Sequence, residues 1–209
     1  MEPIELIAGL GNPGAKYANT RHNAGFWFVD RVASSAGATF RANSRLLGES
    51  CEASVDGRRV RLLKPTTFMN RSGQSIGATL AYYKIPIARL LVVHDEIDLP
   101  SGTIRLKDGG GHGGHNGLRD IIAHLSAKNF ARLRIGVGHP GQRDEVIGHV
   151  LRRAGNSEQA AVDEAIERGL GELPMIVRGD LHGAMNVLNQ RKQGAKSSPD
   201  DNAKQPKES

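Results

Sequence analysis

Ile4-Glu5-Leu6-Ile7-Ala8-Gly9-Leu10-Gly11-Asn12-Pro13-Gly14 is an apolar run that breaks into glycines. A short apolar stretch bounded by a turn signal predicts a buried strand, and the glycine spacing matches the dinucleotide-binding fingerprint. A nucleotide fold, however, needs its helix to open inside the glycine run, so that the helix N-terminus meets the pyrophosphate. Here Pro13 interrupts, Ala15 to Asn19 intervene, and no acidic residue ends a second strand about twenty positions on, since Asp30 falls in a helical stretch. The stretch therefore reads as strand, loop, helix: the start of an α/β domain that binds no dinucleotide through this loop.

The same alternation continues outward. Strands are predicted over Ile4–Ala8, Cys51–Val55, Arg59–Leu63, Leu90–His94, Thr103–Leu106 and Arg132–Val137, and helices over about 22–36, 73–84, 117–126, 157–171 and 180–190. Asp56-Gly57 marks a tight hairpin turn. Asn19 or Thr20, Ser72, Asn116, and Asn156 or Ser157 are the expected caps of the first four helices. This order predicts a single three-layer α/β domain over residues 1–191. Its twisted mixed β-sheet has a mostly parallel centre, an antiparallel hairpin and flanking helices. Residues 192–209 are polar and are expected to form a disordered C-terminal tail.

Composition narrows the classes. A chain of 209 residues can bury a core without staples, and the lone Cys51 excludes an internal disulfide framework, as in a reducing cytoplasm. The N-terminus lacks a basic region followed by a long apolar stretch, and no run approaches the ~20 apolar residues of a membrane span. A cytoplasmic location is expected. No exposed apolar heptad appears, so a monomer is expected. The net charge is +6, of which the tail carries four Lys against two Asp and one Glu, leaving +5 on the folded body. Such a body suits a polyanion, because each neutralised phosphate releases counterions.

Chemistry concentrates at predicted strand ends. Asn12 follows the first strand, Met69 and Asn70 follow Arg59–Leu63, and Asp95 follows Leu90–His94. Gly109 to Leu118 reads Gly-Gly-Gly-His-Gly-Gly-His-Asn-Gly-Leu; its six glycines allow positive φ and close approach of a ligand. The loop offers His112, Gly113, His115 and Asn116 to the same edge, and His22 opens the first helix. Ligands of open α/β sheets gather at the carboxyl ends of the strands. An imidazole and a carboxylate there suggest general base catalysis on water, with carboxamides steadying an oxyanion.

Two other chemistries are weighed and set aside. His112-x-x-His115 near Asp95 imitates a metal ligand set, yet no His-Glu-x-x-His helix occurs and the glycine flanks would hold ligands loosely. No metal or organic cofactor is expected. Gly73-Gln74-Ser75-Ile76-Gly77 has the form of a nucleophile elbow, but the nearest strand ends about ten residues earlier. Small residues there are better explained by close helix packing.

Taken together, the motifs resemble bacterial-type peptidyl-tRNA hydrolase. The resemblance rests on Gly9 to Gly14, Tyr17 and Thr20-Arg21-His22-Asn23-Ala24-Gly25, then on Lys64-Pro65-Thr66-Thr67-Phe68-Met69-Asn70-Arg71-Ser72-Gly73. His94 to Pro100, Gly110 to Leu118, Arg132 to Pro140 and Ala184-Met185-Asn186 continue it in order. It implies hydrolysis of the ester joining a peptide's C-terminus to the 3′-terminal ribose of tRNA, recycling tRNA from stalled or prematurely released peptidyl-tRNA. By the same resemblance His22 is the general base and Asp95 orients it. Asn12, Asn70 and Asn116 bind the peptide backbone and RNA 3′ end or stabilise the oxyanion. Tyr17, Phe68, Met69, Gly113 and His115 belong to the substrate crevice, and Lys107 and Arg134 contact tRNA phosphate. The scaffold also resembles plant organellar relatives that bind RNA and assist splicing, which makes a noncatalytic RNA-binding module the rival reading.

Overall fold

A computed structural model describes residues 2–190. The predicted tail, 192–209, lies outside the described residues. Seven strands form one sheet in the order β2-β3-β4-β1-β5-β7-β6. They are β1 (Leu6–Gly9), β2 (Arg41–Asn43), β3 (Gly48–Val55), β4 (Arg58–Pro65), β5 (Leu90–Glu96), β6 (Ile104–Asp108) and β7 (Ala131–Gly136). β4, β1, β5 and β7 run parallel, while β2, β3 and β6 are antiparallel to their neighbours. The helices are α1 (Ala24–Ser35), α2 (Ser72–Tyr83), α3 (Asn116–Leu125), α4 (Val146–Val150), α5 (Asn156–Val177) and α6 (Leu181–Leu188).

Alternation along the central strands sends side chains to two cores. Ile7, Leu91, Val93, Leu133 and Ile135 pack with Phe28 of α1, Ile166 of α5 and Ala184 of α6. Leu6, Ala8, Leu90 and Val92 face Ile76 of α2 and Leu118 and Ile121 of α3. Helices on both faces of a parallel centre are the three layers expected. The Asp56-Gly57 turn has both φ values positive, 51° and 73°, as the favoured hairpin turn requires.

Several boundaries differ from the sequence reading. β2 carries no apolar alternation; it exists because Arg41 to Asn43 pair with Ser50 to Gly48, which also lengthens β3 backward from Cys51. α5 runs past 171 and through Pro174, because burying Leu173, Ile176 and Val177 outweighs a proline cost of about 3 kcal/mol. The five-residue α4 was too short to register as a period. None of the expected caps performs that role: Thr20 Oγ1 donates to Tyr17 O, Ser72 Oγ donates to Met69 O, His115 rather than Asn116 caps α3, and Gly155 precedes α5. Ser75 is buried inside α2, its hydroxyl donating to Leu46 O, so it forms no nucleophile elbow. A Cβ on Gly73 would lie 2.7 Å from Asp120 O, confirming close packing of α2 on α3.

One contact positions the site. A Cβ on Gly25 would lie 2.3 Å from Val93 O and 2.4 Å from Leu10 N, so the start of α1 rests directly on β1 and β5. Neither backbone can yield without opening the sheet. Gly25→Ala is expected to destabilise the fold by about 1–3 kcal/mol or more, read as a lowered denaturant midpoint. An unchanged midpoint would contradict the close-approach account.

Candidate active site

The 3-10 turn Arg21–Asn23 precedes α1 and hangs over the carboxyl end of β5. From this turn His22 reaches Asp95, the sixth residue of β5, with Nδ1 at 2.9 and 3.0 Å from the two carboxylate oxygens. Since a carboxylate only accepts, Nδ1 carries the proton and Nε2 keeps its lone pair. Asp95 also meets His115 Nε2 at 3.0 Å. The His115 tautomer follows from its other nitrogen: Nδ1 accepts from Gly117 N and Leu118 N, capping α3, so Nε2 bears the hydrogen and donates to Asp95.

These neighbours set the charges. Burial alone would drive the His22 pKa down, but the Asp95 charge and hydrogen bond outweigh it and raise it above the usual 6.5. Burial likewise opposes ionisation of Asp95, yet His22 and His115 together hold its carboxyl well below the usual carboxylate range. His94, fully buried, is pushed down to about 3, chiefly by burial, so it stays neutral. Its Nδ1 donates to Asp95 O at 2.6 Å.

Asn12 is oriented as firmly as His22. Its Oδ1 accepts from Met69 N at 2.8 Å, which turns Nδ2 outward as a donor. Its backbone is fixed by Asn23, whose Oδ1 accepts from Asn12 N and whose Nδ2 donates to Asn12 O. Met69 is buried against the start of α3, where a Cβ on Gly117 would lie 2.6 Å from its sulfur. Asn70 and Asn116 are exposed at the starts of two packed elements, the turn Met69–Arg71 and α3. Phe68 is 56% exposed and meets Tyr17 edge-on at 6.4 Å between ring centroids.

The structure thus joins His22 and His115 through Asp95, and separately joins Asn12 to the backbone of Met69, by direct hydrogen bonds. It places Lys107, Arg134 and Gly113 elsewhere, around a cavity of about 310 Å³ that also touches His94 and His112. Lys107 is exposed, whereas Arg134 donates to Glu96 at 2.9 Å. Gly109, Gly110, Gly113 and Gly114 all adopt positive φ, as the loop's composition predicted. A second cavity of about 360 Å³ is lined in part by Asn12, Asn23 and Trp27.

Sequence reasoning missed Asn23, His94, Arg21 and Arg132. Arg132 is buried, stacks on Phe130 and donates to the carbonyls of Gly110 and Gly111, which holds the glycine loop in place. The available signal for Asn23 was its place directly after His22, ahead of the small residues Ala24 and Gly25. Nothing in the sequence pairs Arg21 or Arg132 with their distant partners.

The ligand atoms of His22, Asp95 and His115 lie within 4.8 Å of one another, near enough to share a cation. The donor chemistry does not fit one. With His115 Nδ1 accepting two backbone N–H groups, its Nε2 is a donor and has no lone pair for a metal.

A buried carboxylate steering an imidazole at the open edge of a parallel sheet, with a fixed carboxamide donor beside it, has the arrangement of a base-assisted hydrolase. The family model described as peptidyl-tRNA hydrolase matches residues 6–196. The peptidyl-tRNA hydrolase of Acinetobacter baylyi is 52% identical over 189 residues, covering 90% of this chain and 97% of that protein. That of Alcanivorax borkumensis is 49% identical with the same coverage. The crystal structure of peptidyl-tRNA hydrolase from Acinetobacter baumannii superposes with a TM-score of 0.88 at 51% identity, over 90% of this chain and 96% of that one. The chain belongs to the peptidyl-tRNA hydrolase family. Among the described residues no helix is long and apolar enough to cross a membrane.

The opposed shifts of His22 and Asp95 fix the pH behaviour. The raised His22 pKa contributes stability in full below 6.5 and loses it as pH rises through the folded value. The depressed Asp95 pKa contributes stability above 3.8 and loses it as pH falls through the folded value. In Asp95→Asn the His22 titration, followed by imidazole NMR, is expected to drop below its wild-type midpoint, because burial is left unopposed. A midpoint that stays raised would show that Asp95 is not the cause.

Proposed function

We propose that this enzyme hydrolyses the ester between a peptide's C-terminal carbonyl and the 3′-terminal ribose of tRNA, with His22 as general base. The observation that carries the reading is the His22–Asp95 contact, which leaves Nε2 as the one lone pair of that imidazole free to face substrate. Nε2 takes a proton from water, and the hydroxide oxygen attacks the ester carbonyl carbon. Asp95 stabilises the imidazolium that results. The carbonyl electrons move onto oxygen, where Asn12 Nδ2 donates to the oxyanion. Collapse breaks the bond to the ribose 3′ oxygen, which leaves with the proton held by His22. Peptide acid and tRNA are the products, and the base is restored. A ribose oxygen leaves with less help from a proton than the nitrogen of an amide, so one base and an oxyanion donor suffice.

The remaining candidates bind. Asn70 and Asn116 hold the peptide backbone and the RNA 3′ end, which makes recognition independent of peptide side chains. Met69 and Gly113 shape the crevice, and Tyr17 with Phe68 gives an exposed aromatic surface for an unstacked base of the 3′ end. Lys107 and Arg134 take tRNA phosphate at the β6–β7 edge; Lys107 supplies the freer charge, since Arg134 is shared with Glu96. His115 orients Asp95 and the start of α3. We further infer a monomer that works in the cytoplasm, without metal or cofactor.

The test is peptide release from an N-blocked aminoacyl-tRNA, with chelator present. His22→Ala is expected to lower kcat/KM by about 10²–10⁴-fold while tRNA binding persists. The wild-type rate should fall as pH drops through the raised His22 pKa, because the protonated ring cannot accept. A wild type that binds tRNA without releasing peptide would favour the RNA-binding reading, and loss of rate on chelation would restore a metal. Lys107→Ala should weaken tRNA binding and reduce its salt slope by about one; an unchanged slope would remove Lys107 from the phosphate contact.

A further inference from the structure

Each residue of the turn that carries the base is anchored in a different direction. His22 is tied to Asp95 and Asn23 to Asn12. The third, Arg21, points away from the reaction and is almost wholly buried. Its Nε and one terminal nitrogen meet the two Glu158 oxygens at 2.6 Å each. The other terminal nitrogen donates to His149 O at 3.1 Å and to Arg152 O and Arg153 O at 3.2 Å. The backbone adds Arg21 N to Arg152 O, and Thr20 bridges Arg153.

Glu158 lies in the first turn of α5 and also accepts from Ser101 Oγ at 3.3 Å, on the loop between β5 and β6. One guanidinium thus joins the base-bearing turn, the carboxyl end of α4, the start of α5 and, through Glu158, the loop that follows Asp95. These segments are far apart in sequence, 128 to 137 residues from Arg21 for its direct partners. Every nitrogen of the group is used, and a lysine ammonium could reproduce neither the fork on Glu158 nor the carbonyl set.

We propose that Arg21 is a positioning residue for the reaction: through Glu158 and the carbonyls of residues 149, 152 and 153 it sets where the His22 ring stands relative to Asp95. The inference rests on His22 being the base, but its physical readout does not. In a packed site a misplacement of about 1 Å can cost on the order of a hundredfold in rate. If the anchor loosens, His22 draws away from Asp95 and its titration falls.

The experiment compares wild type and Arg21→Lys in two measurements, kcat and KM for an N-blocked aminoacyl-tRNA and the NMR titration of the His22 imidazole. The expected result is a kcat lower by about tenfold to a hundredfold, with KM within about twofold and the His22 midpoint moved down. Arg21 is not a positioning residue for the base if neither quantity moves, or if kcat falls while the midpoint stays. A midpoint that moves with kcat unchanged supports the anchor and removes His22 as base, which separates the two claims. Should Arg21→Lys not fold, Glu158→Gln, which leaves the carbonyl contacts in place, is read in the same way.

Discussion

Asp95, with 2% of its surface exposed, stands at the end of β5, and two imidazoles from distant segments of the chain are hydrogen-bonded to its carboxylate. Burying a charge there is costly unless it is paired and its lone pairs are filled. His22 and His115 meet that requirement, and in doing so each acquires a fixed tautomer and a fixed place. The same contact sets the basicity of His22, the orientation of the loop that ends at His115 and the start of α3. Losing Asp95 would therefore disturb the basicity of His22 and the loop geometry together.

The sheet makes this pairing possible. Parallel β1 and β5 end side by side, and the absence of a side chain at Gly25 lets the first helix rest on both. The turn before that helix is then brought over β5, where His22 can reach Asp95. From the other side, Arg132 on β7 holds the glycine loop by its carbonyls, so the loop's freedom of φ is used to adopt one conformation. Positive φ at four of its glycines gives the backbone a path no other residue would follow without strain.

Much of this was legible in the sequence. Apolar runs marked the central strands and placed Asn12, Asp95 and the glycine loop at one edge, and the resemblance named the role of His22. What escaped was of two kinds. β2 and the extra length of α5 arise from pairing and burial with distant segments, which override local pattern. The anchors Arg21, Asn23 and Arg132 owe their function to partners that only the fold brings near, and a lone arginine in a sequence reads as a solvated charge. His115 shows the same limit at finer grain. Its neighbour Asn116 is the better cap by residue type, yet the imidazole performs the capping, and that single fact decides which nitrogen faces Asp95.

The central claim is that Asp95 accepts a proton-bearing nitrogen from both histidines, leaving Nε2 of His22 and Nδ1 of His115 as lone pairs. Nitrogen-15 NMR of the imidazoles, at a pH above the His22 midpoint, reads this directly. The account predicts His22 as the Nδ1–H tautomer and His115 as the Nε2–H tautomer. A protonated Nε2 on neutral His22 would leave it no lone pair with which to activate water, and would contradict the account.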